Sequence, residues 1–165
     1  MLKIGQSAPL FTLFDADMES FSLASLHGSK HVVLFFYPHD GLPLGTREAI
    51  DFSDHEDDFT RLDCVILGVS RDDCLCHAEF RDRHGLSVRL LADDEGEVSQ
   101  LYGVCRMETR EGRQQPCAVN STFIIDSRGI LSHALYDIKP RGHAAEVLQL
   151  VKKLEKPCKL QKIPS

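Results

Sequence analysis

At 165 residues the chain is long enough to bury one core and short for two, and 42% hydrophobic with 27% charged residues argues for a folded globular domain over disorder or a coiled coil. A net charge of -6 argues against nucleic acid or an anionic membrane as a main partner, since both require a basic surface. The opening residues MLKIGQSAPLF lack a charged stretch followed by a long apolar run, and no segment approaches roughly 18 apolar residues, so a cytoplasmic protein without a membrane span is expected.

In chain order, residues 9–23 (PLFTLFDADMESFSL) read as two short strands around a polar turn at 15–19. Residues 31–37 (HVVLFFY) are too continuously apolar for an edge and predict a strand buried on both faces. Pro43 then opens a helix, with Ala49, Ile50, Phe52, Phe59 and Leu62 at roughly helical spacing. The acidic run DFSDHEDDF reads as the solvated face of that helix; a hard-cation site would want its oxygens around a tight turn.

Residues 64–69 (CVILGV) repeat the buried-strand pattern, and Asp72 or Asp73 is a good N-cap for a helix ending near His84 and Gly85. A short strand is expected at 88–91 and a short helix at 95–102, ended by Gly103. The polar, basic segment 105–116 predicts a loop or ragged hairpin. Residues 122–125 and 130–135, split by Asp126-Ser127-Arg128-Gly129, predict a β-hairpin, and 142–154 a final amphipathic helix. One domain over residues 1–155 with a loose tail at 156–165 is expected.

Strands alternating with helices, then a hairpin and a helix, imply an α/β fold with a central mixed sheet flanked by helices. With the N-terminal β-hairpin as an extension, the order matches a thioredoxin-like layout. Right-handed crossovers put the C-terminal ends of strands 31–37 and 64–69 on one edge of the sheet, so loops 38–46 and 70–77 should be neighbours.

Six cysteines without a secretory segment favour free or redox-active thiols over a disulfide framework. Cys74-Leu75-Cys76-His77 falls at a predicted helix N-terminus, where the macrodipole lowers a thiol pKa. The cluster is open to three readings: ordinary surface residues, a redox dithiol formed by Cys74 and Cys76, or half of a soft-metal site that lacks two ligands. Cys105 and Cys117 bracket a polar segment, and either two reduced thiols or a disulfide fits them. Cys64 opens a buried strand and reads as packing, while Cys158 lies in the tail. His27, His31, His55, His84, His133 and His143 have no metal-ligand spacing and are expected at the surface or in caps; His39 is left without a role.

Gly5, Ala8-Pro9, Phe11 and Leu13 resemble the opening of peroxiredoxins. Phe36-Tyr37-Pro38, Asp40, Pro43, Thr46, Glu48-Ala49 and Phe52 resemble the F-Y-P-x-D-x-T-P-G-C-T-x-E-A-x-x-F segment of the bacterioferritin comigratory protein branch of that family. Gly68-Val69-Ser70 with Asp72 and His77, Leu90-Leu91-Ala92-Asp93, Tyr102-Gly103-Val104 and Ser121-Thr122-Phe123-Ile124-Ile125-Asp126 follow in the same order.

The resemblance implies a thioredoxin-type fold that reduces hydroperoxides with thiol electrons, with a thioredoxin-like reductant and a hydroperoxide as partners and no cofactor. That chemistry needs a thiolate to attack the O–O bond, a hydroxyl donor to orient the peroxide and a guanidinium to keep the sulfur ionised. On the same resemblance the attacking cysteine falls on Gly45, the orienting threonine on Leu42, the glycine before the cysteine on Leu44, and the arginine on Asn120. A further cysteine common in the branch falls on Ile50, and no cysteine precedes Cys64. Of the core constellation Pro38 alone matches. Three functions are therefore expected to compete: a residual thiol activity through Cys74 and Cys76, a non-enzymatic binding module that docks a protein at Leu42 and Leu44, and soft-metal handling by the Cys74 to His77 cluster.

Overall fold

Every position of β3 (His31–Phe36) is buried, and the period of two along a strand sends alternate side chains to opposite faces. Val32, Leu34 and Phe36 enter one core with Phe11, Leu67, Val69, Val98, Tyr102 and Phe123. Val33, Phe35 and Tyr37 enter the other with Phe52, Phe59, Ile66, Phe80, Val147 and Val151. The doubly covered strand expected from the continuous apolar run is thus the hub of the molecule.

The computed structural model describes residues 2–136, 138 and 142–154; the C-terminal segment 156–165, with Cys158, lies outside the described residues. A seven-stranded sheet runs in the order β2-β1-β5-β4-β3-β8-β9. Its parallel centre is β3, β4 (Cys64–Ser70) and β5 (Arg89–Ala92). The N-terminal hairpin β1 (Thr12–Asp15) and β2 (Ser20–Ser22) extends the sheet by antiparallel pairing of β1 with β5. On the other side, β8 (Ser121–Ile125) pairs antiparallel with β3, and β9 (Leu131–Tyr136) with β8. A 3-10 turn, Leu23–Leu26, links the first hairpin to β3.

One face carries α1 (Pro43–Asp54), α2 (Glu56–Thr60), α3 (Cys74–His84) and α5 (His143–Lys152); α4 (Glu97–Leu101) lies on the other. The single helix expected across the acidic run breaks at His55, whose backbone (φ -103, ψ 5) ends α1 and starts α2. The run's carboxylates otherwise face water or sit half-buried. Helix α3 has the expected ends: the Asp73 side chain accepts the Cys76 amide at 2.8 Å, and Gly85 takes the left-handed conformation that closes the helix.

Segment 105–116, expected as a loop or ragged hairpin, is a regular two-stranded ribbon of β6 (Cys105–Arg110) and β7 (Arg113–Ala118). Its register pairs Cys105 with Ala118 and Arg106 with Cys117. Neighbouring residues of a strand point to opposite faces, so Cys105 and Cys117 are on opposite sides of the ribbon. In this structure both are free thiols, and the register does not bring them together for the disulfide considered for them.

Candidate functional site at the strand ends

The parallel strands β3 and β4 end on the same edge, and the loops that leave them are laced together as the crossover argument requires. The Asp40 amide donates to Asp72 Oδ2 at 2.6 Å, and the Ser70 hydroxyl donates to the same oxygen at 2.7 Å. The Tyr37 hydroxyl donates to Asp40 Oδ1 at 2.7 Å. His77 is fully buried with Nδ1 2.7 Å from Asp40 Oδ2 and Nε2 2.9 Å from the Leu91 carbonyl. A carbonyl only accepts, so Nε2 carries a hydrogen and the proton between Nδ1 and Asp40 is shared by the pair.

Asp40, Asp72 and His77 bring three potential ligand atoms within 4.8 Å of one another. Hydrogen bonds to Tyr37, Ser70, Leu91 and the Asp40 amide already engage all three, so the set is a closed network that joins two loops. His39 extends it to the ribbon: Nε2 lies 2.8 Å from Glu108 Oε2, and Nδ1 is 3.7 Å from Asp72 Oδ1. The His39 bond holds the Glu108 carboxyl below its ordinary range. His39, left without a role by the sequence, thus pins the β6–β7 ribbon over this loop.

The buried stripe of α1 is Gly45, Glu48, Ala49 and Phe52, the i, i+3, i+4, i+7 spacing of a core-facing helix. A Cβ built on Gly45 would stand 3.0 Å from Tyr37 Cδ2, 3.1 Å from its Cβ and 3.2 Å from its Cγ. A first side-chain carbon at 45 would therefore require the Tyr37 side chain to give by a few tenths of an ångström. Leu42 is 41% exposed, Leu44 is half-buried and Pro38 is buried.

Asn120 reaches Glu48, donating from Nδ2 to Oε1 at a long 3.5 Å. Glu48 is buried, and its Oε2 has no hydrogen-bond partner among the described residues. Burial pushes its carboxyl up to about 8, Asp51 adding to the rise and the Asn120 bond opposing it. From the sequence, Glu48 is named only as part of the family-like segment and is given no role. Its i+3 spacing from Gly45 and i+4 spacing to Phe52 are the signal that places it inside.

Cys74, Cys76 and His77 do not form one cluster. Successive helix residues point about 100° apart, and the buried face of α3 is His77 and Phe80. Cys74 lines a small cavity with Phe14, Asp93 and Asp94, whereas Cys76 is exposed. Partial burial comes first in pushing both thiols up, followed by carboxylates: Asp94, Asp73 and Asp15 at Cys74, and Asp72, Asp73, Asp40 and Glu79 at Cys76. Both thiols therefore lie above their ordinary value, not below it as expected from the helix terminus, because partial burial and then the neighbouring carboxylates outweigh the dipole. The soft-metal reading loses its imidazole, which is committed to Asp40 and Leu91.

Cys64 is buried on β4 as expected. Among the histidines expected at the surface or in caps, His31 and His143 are instead buried. His31 lies within the doubly covered strand, and His143 begins the first turn of α5 against the ring of Phe52.

A mixed sheet with a parallel centre, helices on both faces and a laced loop pair at the strand ends is a thioredoxin-like fold. Within that class the chain belongs to the AhpC/TSA family, whose family model matches residues 4–134. It is 38% identical over 151 residues to peroxiredoxin Bcp of Bacillus subtilis, covering 92% of this chain and 96% of that one. It is 32% identical over 153 residues to chloroplastic peroxiredoxin Q of Oryza sativa subsp. japonica, covering 91% and 67%. Among solved structures, BcpB of Mycobacterium tuberculosis superposes with a TM-score of 0.84 at 28% identity, covering 94% of this chain and 99% of that one. The bacterioferritin comigratory protein of Xanthomonas campestris, solved in work on its alkyl peroxide reduction activity, gives 0.79 at 29% identity with 86% and 90% covered. Among the described residues no helix is long and apolar enough to cross a membrane.

Proposed function

We propose that this chain is a peroxiredoxin-family protein without peroxide reduction of the family's usual kind, and that the loop at Leu42 and Leu44 works as a binding surface. The observation that carries the reading is the contact of Gly45 with Tyr37: where the resemblance puts the attacking sulfur, the backbone packs against a buried ring. Leu42 offers no hydroxyl to orient a peroxide, and Asn120 offers no guanidinium. On the positions the resemblance assigns, the thiolate and the cation that this chemistry needs would both be missing, which supports the reading.

Leu42, exposed beside Gly41 and Pro43, is an apolar side chain at the loop that a docking partner would cover. A thiol role for Cys74 and Cys76, fed by a thioredoxin-like reductant and a hydroperoxide, is the competing reading; the exposure of Cys76 favours it, and its raised pKa opposes it. Stopped-flow peroxide consumption with a dithiol reductant separates the two. We expect background rates in both the wild type and Cys74→Ser/Cys76→Ser. A wild-type rate above background that the double variant abolishes supports the thiol reading instead. For the binding surface, Leu42→Asp should weaken self-association or partner capture, and an unchanged association state and partner set would sink it.

A further inference from the structure

Glu48 Oε2 is the one buried carboxylate oxygen without a hydrogen bond among the described residues. It faces His143 Nε2 across 3.9 Å, and that nitrogen lies 2.9 Å from the Thr122 hydroxyl of β8. His143 is the first residue of α5, and its ring stands edge-on to Phe52 of α1 at 5.7 Å. The next residue of α5, Ala144, donates its amide to Asp51 Oδ2 at 3.1 Å. The first turn of α5 is thus moored to α1 through Glu48, Asp51 and Phe52, and to β8 through Thr122. Beside this mooring a groove of about 650 Å³ is lined by Pro43, Thr46, Ile50 and Asp51 of α1, His84 of α3 and Gly142 ahead of α5.

We propose that Glu48 and His143 form a proton-operated latch between α1 and α5: a neutral Glu48 keeps the first turn of α5 seated, and loss of its proton frees that turn and widens the groove. The inference stands on the Glu48 geometry and does not depend on whether peroxide chemistry survives. The groups that face the pair are Asp51 from α1, Asn120 from the loop before β8, Thr122 from β8 and Glu146 from α5. Two are carboxylates and two are neutral, so among the described residues that face it an ionised Glu48 finds no cation other than His143. Burial pushes His143 down, with Glu146 and Asp51 opposing, so that imidazole resists supplying the charge.

The sign follows from Glu48 being raised from 4.5 to about 8 on folding. Below the lower value both states hold the proton. Between the two values the folded state alone holds it, so stability falls as pH rises, and above the upper value the loss is complete. The shift corresponds to a folding equilibrium constant lower by as much as roughly three-thousandfold at alkaline pH.

The test is hydrogen exchange of the full chain by mass spectrometry at pH 6.5 and 9, corrected for intrinsic exchange, with denaturant titrations over the same range. In the wild type, protection at the start of α5 should drop at least about tenfold at pH 9, and the folding constant should decline in step. Glu48→Gln keeps the shape and removes the proton, so it should abolish both changes. Asn120→Arg places a guanidinium against Glu48 Oε1, should keep the carboxylate ionised, and should move the transition well below pH 8. Unchanged α5 protection in the wild type at pH 9 overturns the latch, as does an equal pH response in wild type and Glu48→Gln. Should Glu48→Gln fail to fold, an Asn120→Arg transition left at the wild-type pH overturns it as well.

Discussion

Tyr37 Cδ2 lies 3.0 Å from the point where a first side-chain carbon on Gly45 would stand, so the aromatic ring and the helix backbone are in direct contact. The expected cost of Gly45→Ala is the displacement of a ring that Asp40 holds by its hydroxyl. Overpacking costs about 1–3 kcal/mol and the better helix propensity of alanine returns about 1, so a net loss of about 1 kcal/mol is expected. Urea unfolding measures it, and a variant more stable than the wild type would show that Tyr37 backs away freely. The same crowding bears on restoring a nucleophile: Gly45→Cys with Leu42→Thr and Asn120→Arg should fold less stably than the wild type, and its peroxide rate reports whether Tyr37 yields.

His77 is buried and shares a proton with Asp40. His77→Ala leaves that carboxylate without its partner and should cost about 3–5 kcal/mol. Tyr37→Phe removes a single hydrogen bond to the same carboxylate and should cost about 1–2 kcal/mol. Denaturant titration of both variants tests the ranking; equal losses would mean that His77 contributes no more than one ordinary bond.

The raised thiols predict slow alkylation. At pH 7.5 Cys74 and Cys76 should react with iodoacetamide more slowly than a cysteine in an unstructured peptide, because less thiolate is present. Asp94→Asn removes the carboxylate that contributes most to the rise at Cys74 after burial, and should speed that residue several-fold while leaving Cys76 unchanged. Peptide-resolved mass spectrometry reads both, and a Cys74 rate indifferent to Asp94 would remove the electrostatic account.

Opposite faces of a ribbon do not share a disulfide. Mild oxidation of the intact protein should yield no peptide linking Cys105 to Cys117, and Cys117→Ser should leave the thermal midpoint within a few degrees. Recovery of that linked peptide from folded protein would mean that the β6–β7 register is different.

Local pattern and chain order made much of this architecture readable. The continuous apolar runs gave β3 and β4, Asp73 and Gly85 gave the ends of α3, and crossover handedness brought Asp40 and Asp72 together. What stayed hidden depends on direction around a helix or on pairing across distance. Reading Cys74, Cys76 and His77 as one group treated sequence neighbours as spatial neighbours, although a helix turns His77 inward and leaves Cys76 in water. The bonds of His39 to Glu108 and of Asn120 to Glu48 join residues from separate elements, and no local spacing announces them.

The strand order has a consequence at its margins. An unpaired sheet edge invites another chain to add a strand. Here one margin is the three-residue β2, too short to template much. At the other, Gly5 donates to the Leu131 carbonyl and Leu131 donates back to the Gln6 carbonyl, so the start of β9 is occupied by the chain's own N-terminal segment. Strand addition is thus discouraged at β2 by its length and at the start of β9 by the N-terminal segment, which narrows where along the sheet another chain could pair.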